Sequence, residues 1–534
     1  MKMTDRIALK ILLTTICPGN ADIQLALYYL KTYFAKHSAK SNLININILS
    51  FSSDEKLHSM VNQLTKYKPD IIGFASYVWN ITNILKVARL IKENMPATRI
   101  VLGGPEVSPR AKNILKNYRF VDVVVIGGGE ETFKELLEHW LTNSDSISKV
   151  KGIAYHRKNR IIITDKRPQI SNLDDIPSPY LEKTIDIDLK SYQGYIPTET
   201  MRGCVYKCHY CYYYKDFGGM RYFSLPRVEK ELKYLLEKKP AGIYLMDATF
   251  NAHKKRAKEV LKVFIKYNKK TKLHVELKAE LLDREMVDLL YKAKAKFIEI
   301  GVQSTNKKTL RLINRIFKPG SFKKNIRLLN KKKIPYELQL IDGLPGDNYN
   351  TLKQSLDELF MLKPFSIKIM RFMLLPGTYL RQHAKDFGIR YNTRPPYYTK
   401  ESNTFSFEDI KKAQVLRTAM SMCYDGGLLR NSLYLINKKL GIGFSEILEE
   451  WDERIHKEHN WVIRKIKGIS GGDGKMHYLM NKLAFRKIAN LSTDFVEFLY
   501  KKYHKPFADK RLLKFIQRDR RIFLKGQGIK EEKI

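Results

Sequence analysis

Short β-branched runs alternate with helix-periodic stretches through the first 145 residues. The runs Ile7–Thr14, Leu43–Ser50, Ile71–Ala75, Arg99–Leu102 and Val121–Ile126 are of strand length. Between them Ile23–His37, Glu55–Tyr67, Ile81–Glu93, Ala111–Asn117 and Glu131–Trp140 repeat apolar residues at helical spacing. Alternation of this kind predicts βαβ units and an α/β fold with a doubly wound, Rossmann-like parallel sheet. Such sheets take ligands beyond the carboxyl ends of their strands. Two glycine clusters fall at such ends, Gly103-Gly104-Pro105-Glu106 and Gly127-Gly128-Gly129-Glu130. Neither has the spaced glycines of a dinucleotide site. They read as tight strand-to-helix turns or as a place where backbone approaches a flat ligand.

Residues 149–193 read as a connection. Lys151–His156 and Ile161–Thr164 suggest a small hairpin, and Leu173–Tyr180 is a proline-punctuated linker. Strand–helix alternation resumes over 194–395. Its candidate strands are Thr198–Arg202, Gly242–Met246, His274–Leu277, Phe297–Val302, Tyr336–Ile341 and Ser366–Leu374, with helical patterns such as Leu225–Glu237, Lys255–Tyr267, Arg284–Lys292 and Asn350–Phe360. Six βα units predict a partial (β/α)6 barrel with its chemistry at the carboxyl ends of the strands. Residues 396–534 turn mostly helical. The division expected is therefore 1–148, 149–193, 194–395 and 396–534.

A chain of 534 residues, 44% hydrophobic and 28% charged, is globular and of two to four domains. No apolar stretch of about 18 residues occurs, which excludes an ordinary membrane-spanning helix. The apolar run at the start lacks a small-residue cleavage site and reads as the first core strand of a cytoplasmic protein. The net charge of +42 attracts polyanions such as nucleic acid, or is spread over solvated helix faces. Charge by itself leaves the partner open. The basic segment Lys501–Ile534, with Leu512, Leu513, Phe515, Ile516, Ile522, Phe523 and Leu524, reads as an amphipathic helix docking on the protein.

Five cysteines are too few for a disulfide framework. Cys17 and Cys423 stand alone and read as small buried hydrophobes. Cys204, Cys208 and Cys211 form a C-x3-C-x2-C loop after a predicted strand. Three close thiolates suit three irons of a [4Fe–4S] cluster and leave the fourth iron open. A closed zinc site, with His209 as fourth ligand, and a thioredoxin-like pair at Cys208 and Cys211 are the alternatives.

With Gly203 before the first cysteine and Tyr210 before the last, this loop resembles the signature of the radical S-adenosylmethionine (SAM) superfamily. The segments Asp247–Asn251, Ile298–Ser304, Ile341–Asp347 and Leu375–Thr378 look like the second, fourth, fifth and sixth strand ends of that barrel. The resemblance implies that Cys204, Cys208 and Cys211 ligate the cluster, and that SAM chelates the open iron and yields a 5′-deoxyadenosyl radical. By the same resemblance Tyr210, Glu276 and Gln303 are candidate SAM contacts. The glycine-rich segment that often binds the SAM amino group has no clear match after Cys211. A doubly wound domain before such a barrel resembles the cobalamin-binding class, in a subgroup with its own helical C-terminal domain opened here by Arg394-Pro395-Pro396-Tyr397. On that resemblance Ile71–Asn80, Val101–Ser108 and Ile126–Thr132 contact the corrin. Ser76, Gly103, Gly104, Pro105, Glu106, Gly128, Gly129 and Glu130 are the candidate contacts. The motif that lends a lower histidine to cobalt is absent. The first junction reads Thr14-Thr15-Ile16-Cys17-Pro18-Gly19-Asn20.

The family implies a cobalamin-dependent methyltransferase that moves a methyl group from methylcobalamin to an unactivated carbon of a small molecule or peptide. It implies a reductant such as flavodoxin or ferredoxin. No residue is singled out as a catalytic acid or base. Oxidation, cyclisation or rearrangement without methyl transfer is a second reading, and a radical SAM enzyme modifying tRNA a third.

Overall fold

The computed structural model describes residues 9–18, 23–142, 147–185, 188–189, 192, 194–458, 482–505 and 510–526. The chain divides into two compact units. The first takes residues 1–298, 373–383 and 392–398; the second takes 299–372, 384–391 and 399–534.

The first unit opens with β1 (Leu9–Cys17), β2 (Ile44–Ser52), β3 (Ile71–Ala75), β4 (Arg99–Gly103) and β5 (Val123–Val125), paired in parallel in the order β2-β1-β3-β4-β5. Alternate residues feed two cores. Leu12, Ile16, Ile72, Phe74, Ile100, Leu102 and Val124 line one face. Ile11, Leu13, Ile71, Val101, Val123 and Val125 line the other. Helices cover both faces, so the strands are apolar without a solvent side. The expected first strand ends at Thr14, but β1 runs on to Cys17, 5% exposed, because its ladder with β2 continues to Ser52. Ile7 and Ala8 of that expectation, and Gly19 and Asn20 of the junction, lie outside the described residues.

The hairpin expected in the connection is part of the sheet. Strands β6 (Ile153–Arg157) and β7 (Arg160–Ile163) add antiparallel to β5, which makes seven strands and a mixed sheet. Ile153, Ala154 and Tyr155 are buried, which is why this segment pairs instead of looping.

The first unit continues with β8 (Tyr195–Thr198), the short β9 (Met201–Arg202) and β10 (Arg221–Tyr222), β11 (Gly242–Leu245) and β12 (Lys272–Glu276). β11 pairs in parallel with both β8 and β12. The single strand expected over Thr198–Arg202 is thus two pieces. The β8 ladder ends where the Met246 amide donates to the Thr198 carbonyl at 2.8 Å. Beyond it the Asp247 carboxylate accepts from the Thr200 and Met201 amides, and the chain turns away. β13 (Ala295–Gln303) carries the chain from the first unit into the second, where β14 (Glu337–Asp342) pairs in parallel with it and with β15 (Ser366–Arg371). The expected strand Ser366–Leu374 stops at Arg371.

In the second unit helices Phe407–Met420, Ser432–Leu440, Phe444–Glu458, Lys482–Lys502 and Lys510–Gly526 follow. Cys423 is 1% exposed, a core residue. The last helix docks through buried Leu512, Ile516, Phe523 and Leu524, while Ile522 is exposed. Buried Asp519 on that helix accepts from the Asn431 and Ser432 amides at 2.9 Å. Residues 506–509 and 527–534 of the basic segment lie outside the described residues.

One buried side chain ties the carboxyl ends of β1 and β3. The Asn80 amide donates to Thr15 Oγ1 (3.0 Å), the Ile16 carbonyl (3.1 Å) and the Ala75 carbonyl (3.2 Å), and its oxygen accepts from the Tyr77 amide (2.7 Å). Asn80→Ala is expected to cost about 1–3 kcal/mol by leaving these groups unsatisfied, read as a lower midpoint with unchanged slope in urea unfolding.

Candidate active site

Three strand ends meet at one rim of the N-terminal sheet. The Ser76 amide donates to the Gly103 carbonyl (2.8 Å), and the Gly127 amide to Ser108 Oγ (2.8 Å). Gly104 has φ +109°, and a Cβ there would stand 2.5 Å from the Ser76 carbonyl, so only glycine fits. Gly127 has φ +81° and faces open space. Ser76 is fully buried, yet its hydroxyl has no hydrogen-bond partner in the protein. Just past β3, Trp79 is 58% exposed and stacks flat on Tyr77 at 4.6 Å. An orphaned hydroxyl, bare glycine backbone and a flat aromatic pair with its Trp79 ring exposed suit a large planar ligand approached closely by main chain.

Two of the expected rim contacts are already engaged. Glu106, 3% exposed, pairs with Arg110 (2.6 Å) and accepts from the Tyr397 hydroxyl (2.5 Å). Burial raises its carboxyl above the usual range, with Arg110 opposing. Glu130 opens helix Glu130–Thr142 and bonds to Arg202 at 2.5 Å. Arg202 also pairs with Glu199 (2.7 Å) and lies over the Tyr29 ring at 5.0 Å. Burial opposes ionisation of Glu130, but Arg202 outweighs it and holds the carboxyl below its ordinary value. Glu199, by contrast, is raised by burial in spite of the same guanidinium.

Arg202 stands two residues before Cys204, so this buried ion triad joins the glycine rim to the cysteine loop. Asp247, at the end of β11, holds the same loop from the other side, through the Thr200 and Met201 amides and the Thr200 hydroxyl. Burial pushes its carboxyl up to about 6. Thr249 Oγ1 lies 3.9 Å from Cys204 Sγ. From within the cysteine loop onward the chain is clamped by residues 373–383. His209 stacks on Tyr379 (4.0 Å), Tyr379 on His383 (4.1 Å), and the Leu380 amide donates to the His209 carbonyl (3.1 Å). Lys215 Nζ donates to the Gly377 carbonyl (2.7 Å), and Gly377 (φ +79°) leaves room for the Tyr212 ring.

Cys208 is buried, and Cys204 and Cys211 are half-buried. Burial pushes the Cys211 thiol up to about 11, and the neighbouring Cys208 and Cys204 add to the rise. A thiol held neutral by burial, as Cys211 is, gives up its proton beside positive charge, which a cluster's irons would supply. Among the described residues no group of three or more His, Cys, Asp or Glu is arranged to hold one metal ion. A cluster would take each cysteine on its own iron.

Of the expected SAM contacts, Tyr210 lies in the cysteine loop. Glu276 ends β12 and accepts from the Tyr244 hydroxyl. Gln303 belongs to the second unit. It ends β13 with φ +74° at a bulge in the pairing with β14. Its amide folds over Gly301, where a Cβ would stand 2.4 Å from Gln303 Nε2. The Glu130–Arg202–Glu199 triad, Asp247 as anchor and the His209–Tyr379–His383 stack were not foreseen. Their sequence signal is faint: isolated charges beside apolar strand ends.

Two family models match the chain, the radical SAM superfamily over residues 198–359 and the B12 binding domain over residues 12–137. The cobalamin-dependent radical SAM methyltransferase TokK of Streptomyces tokunonensis is 32% identical over 193 residues, 34% of this chain and 28% of TokK. The 2-(S-pantetheinyl)-carbapenam-3-carboxylate methyltransferase of Streptantibioticus cattleyicolor is 27% identical over 387 residues, 66% of this chain and 54% of that protein. The chain thus spans about half the length, or less, of these relatives. The structure of the cobalamin-dependent SAM radical enzyme OxsB with aqua-cobalamin and SAM bound shares the fold, with a TM-score of 0.62 at 14% identity over 97% of this chain and 84% of that one. A three-cysteine loop on a parallel strand–helix repeat, behind a glycine-rimmed doubly wound domain, defines a radical SAM protein with a corrinoid domain. This chain belongs to the radical SAM superfamily, in its cobalamin-binding class, whose cofactors are a [4Fe–4S] cluster, SAM and cobalamin.

Removing the guanidinium of Arg202 leaves two carboxylates buried together. Arg202→Ala is expected to cost about 3–5 kcal/mol, and adding Glu130→Gln and Glu199→Gln to recover much of it; chemical unfolding of the single and the triple variant measures both. Asp247 gives a pH signature. Its folded pKa of about 6 lies above the unfolded value near 3.8, so its contribution is fully present below that unfolded value and is lost as pH rises through 6. Asp247→Asn is expected to be more stable relative to wild type at pH 8 than at pH 4, by up to about 3 kcal/mol. Paired thermal melts at the two pH values decide it.

Proposed function

We propose that this protein is a cobalamin-dependent radical SAM methyltransferase acting on an unactivated carbon of a small molecule. The observation that carries the reading is the buried Arg202, which bonds the loop holding three cysteines to Glu130 of the glycine-rich rim. One rigid contact thus serves both cofactor regions of the first unit. When bound, the cluster with SAM supplies a hydrogen-abstracting radical, and the corrinoid supplies the methyl group.

The chain's own residues bind and hold. Cys204, Cys208 and Cys211 would ligate three irons, and Tyr210, Glu276 and Gln303 would contact SAM. The orphaned Ser76 hydroxyl, Gly103, Gly104, Pro105, Gly128 and Gly129 would meet the corrin. Glu106 and Glu130 would act behind that surface, because their carboxylates are held by Arg110 and Arg202. The small-molecule substrate rests on the relatives, one of which is named for a pantetheinyl carbapenam. The electron would come from a low-potential carrier such as flavodoxin or ferredoxin. Among the described residues no helix is long and apolar enough to cross a membrane.

Anaerobic reconstitution with iron, sulfide and hydroxocobalamin, followed by desalting, tests the cofactors. Expected are about four irons and one cobalt per chain, with iron lost in Cys204→Ala, Cys208→Ala and Cys211→Ala. Iron without cobalt would overturn the methyltransferase reading. With both loaded, a product heavier by one methyl group supports it, and an unchanged carbon count moves the reading to radical chemistry without methyl transfer.

A further inference from the structure

At the amino-terminal ends of the strands, away from the glycine rim, the first unit holds a cavity of about 360 Å³. It is lined by Arg99, Arg119, Asp122, Val123, Trp140, Ile147, Tyr155, His156 and Lys158. That volume is at the small end of the range of small-molecule sites. Arg99 opens β4, and Tyr155 faces Val123 across the β5–β6 pair. Gly103 lies four residues further along β4, roughly 13 Å away at 3.3 Å per residue. The cavity is thus set apart from the rim along the strands.

The lining is built for an anion. Arg99, Arg119 and Lys158 bring three cations. The one carboxylate, Asp122, is already neutralised: it pairs with Lys92 at 3.0 Å and accepts from the Ile100 amide at 2.7 Å. The Arg99 guanidinium is steadied over the Trp140 ring, 5.3 Å from its centroid. Tyr155 is 4% exposed, lies on the same sheet face as Trp140 and Ile147, and its hydroxyl has no hydrogen-bond partner in the protein. Buried polar atoms are ordinarily partnered, so an orphaned hydroxyl beside a cationic cavity leaves a place for a ligand oxygen. Guanidinium groups present forked donors that match phosphate.

We propose that this pocket binds a small phosphate-bearing molecule, up to about a mononucleotide in size. The ligand's phosphate is held by Arg99, Arg119 and Lys158, and an oxygen of it accepts from the Tyr155 hydroxyl. The proposal goes beyond the methyltransferase reading and stands whether or not that reading survives.

Isothermal titration of the full chain with inorganic phosphate, AMP and citrate tests it. Expected is one equivalent of AMP or phosphate per chain, with citrate weaker. Arg119→Gln with Lys158→Gln, both at exposed positions, is expected to weaken binding about tenfold or more. Tyr155→Phe weakens it less, and Lys112→Gln with Lys116→Gln, exposed and outside the cavity, leaves it unchanged. Thermal melts of each variant check that the fold is kept. No binding up to about 1 mM, citrate binding as well as phosphate, or equal loss in both double variants would overturn the proposal, the last by assigning the effect to net charge.

Discussion

Arg202 is the group on which the arrangement of the first unit turns. A guanidinium buried between Glu130 and Glu199, with Tyr29 beneath it, is costly to desolvate and is tolerable only with both carboxylates in place. The consequence is positional. Glu130 begins the helix after β5, Glu199 follows β8, and Arg202 immediately precedes the cysteine loop. Three pieces of chain that sequence separates by up to 72 residues are therefore fixed to a single point. Apolar packing would hold them near one another, whereas charged hydrogen bonds also fix their orientation.

The remaining anchors of the loop are of different kinds. Asp247 supplies an acceptor for amides that the sheet has abandoned, and the His209–Tyr379–His383 stack supplies flat contact. The glycine rim is held just as firmly from behind, by Asn80 and by Glu106 with Arg110. What faces outward there is mostly bare backbone and the exposed Trp79 ring, with the unpartnered hydroxyl of Ser76 buried behind them. A rigid back and an unsatisfied front is the arrangement expected of a surface completed by its ligand.

The periodicity of apolar residues carried most of the fold. Ile71–Ala75, Ala111–Asn117, Leu225–Glu237 and Arg284–Lys292 stand where the pattern puts them. It failed where polar groups decide. The break between Thr198 and Met201 depends on a carboxylate some 46 residues away, and the β6–β7 hairpin joins the sheet because Ile153 and Tyr155 find a core that no local window reveals. At the candidate site the cysteines were legible because their spacing is itself the chemistry. Glu106 and Glu130 were legible as rim residues, but their burial against arginines was not, since a pairing partner leaves no local mark.

The first unit is discontinuous, and that bears on the order in which the protein is made. The clamp on the cysteine loop comes from residues 373–383, and Tyr397, which holds Glu106, comes later still. A ribosome delivers the loop long before its clamp. Until nearly 400 residues have emerged, the three thiols sit on a half-fastened segment, and closing so long a span is slow compared with local folding. Cluster insertion into a finished site is thus a late event in the life of the nascent chain. A chain truncated between residues 299 and 372 would carry every cysteine of the motif and still lack the part that holds it shut.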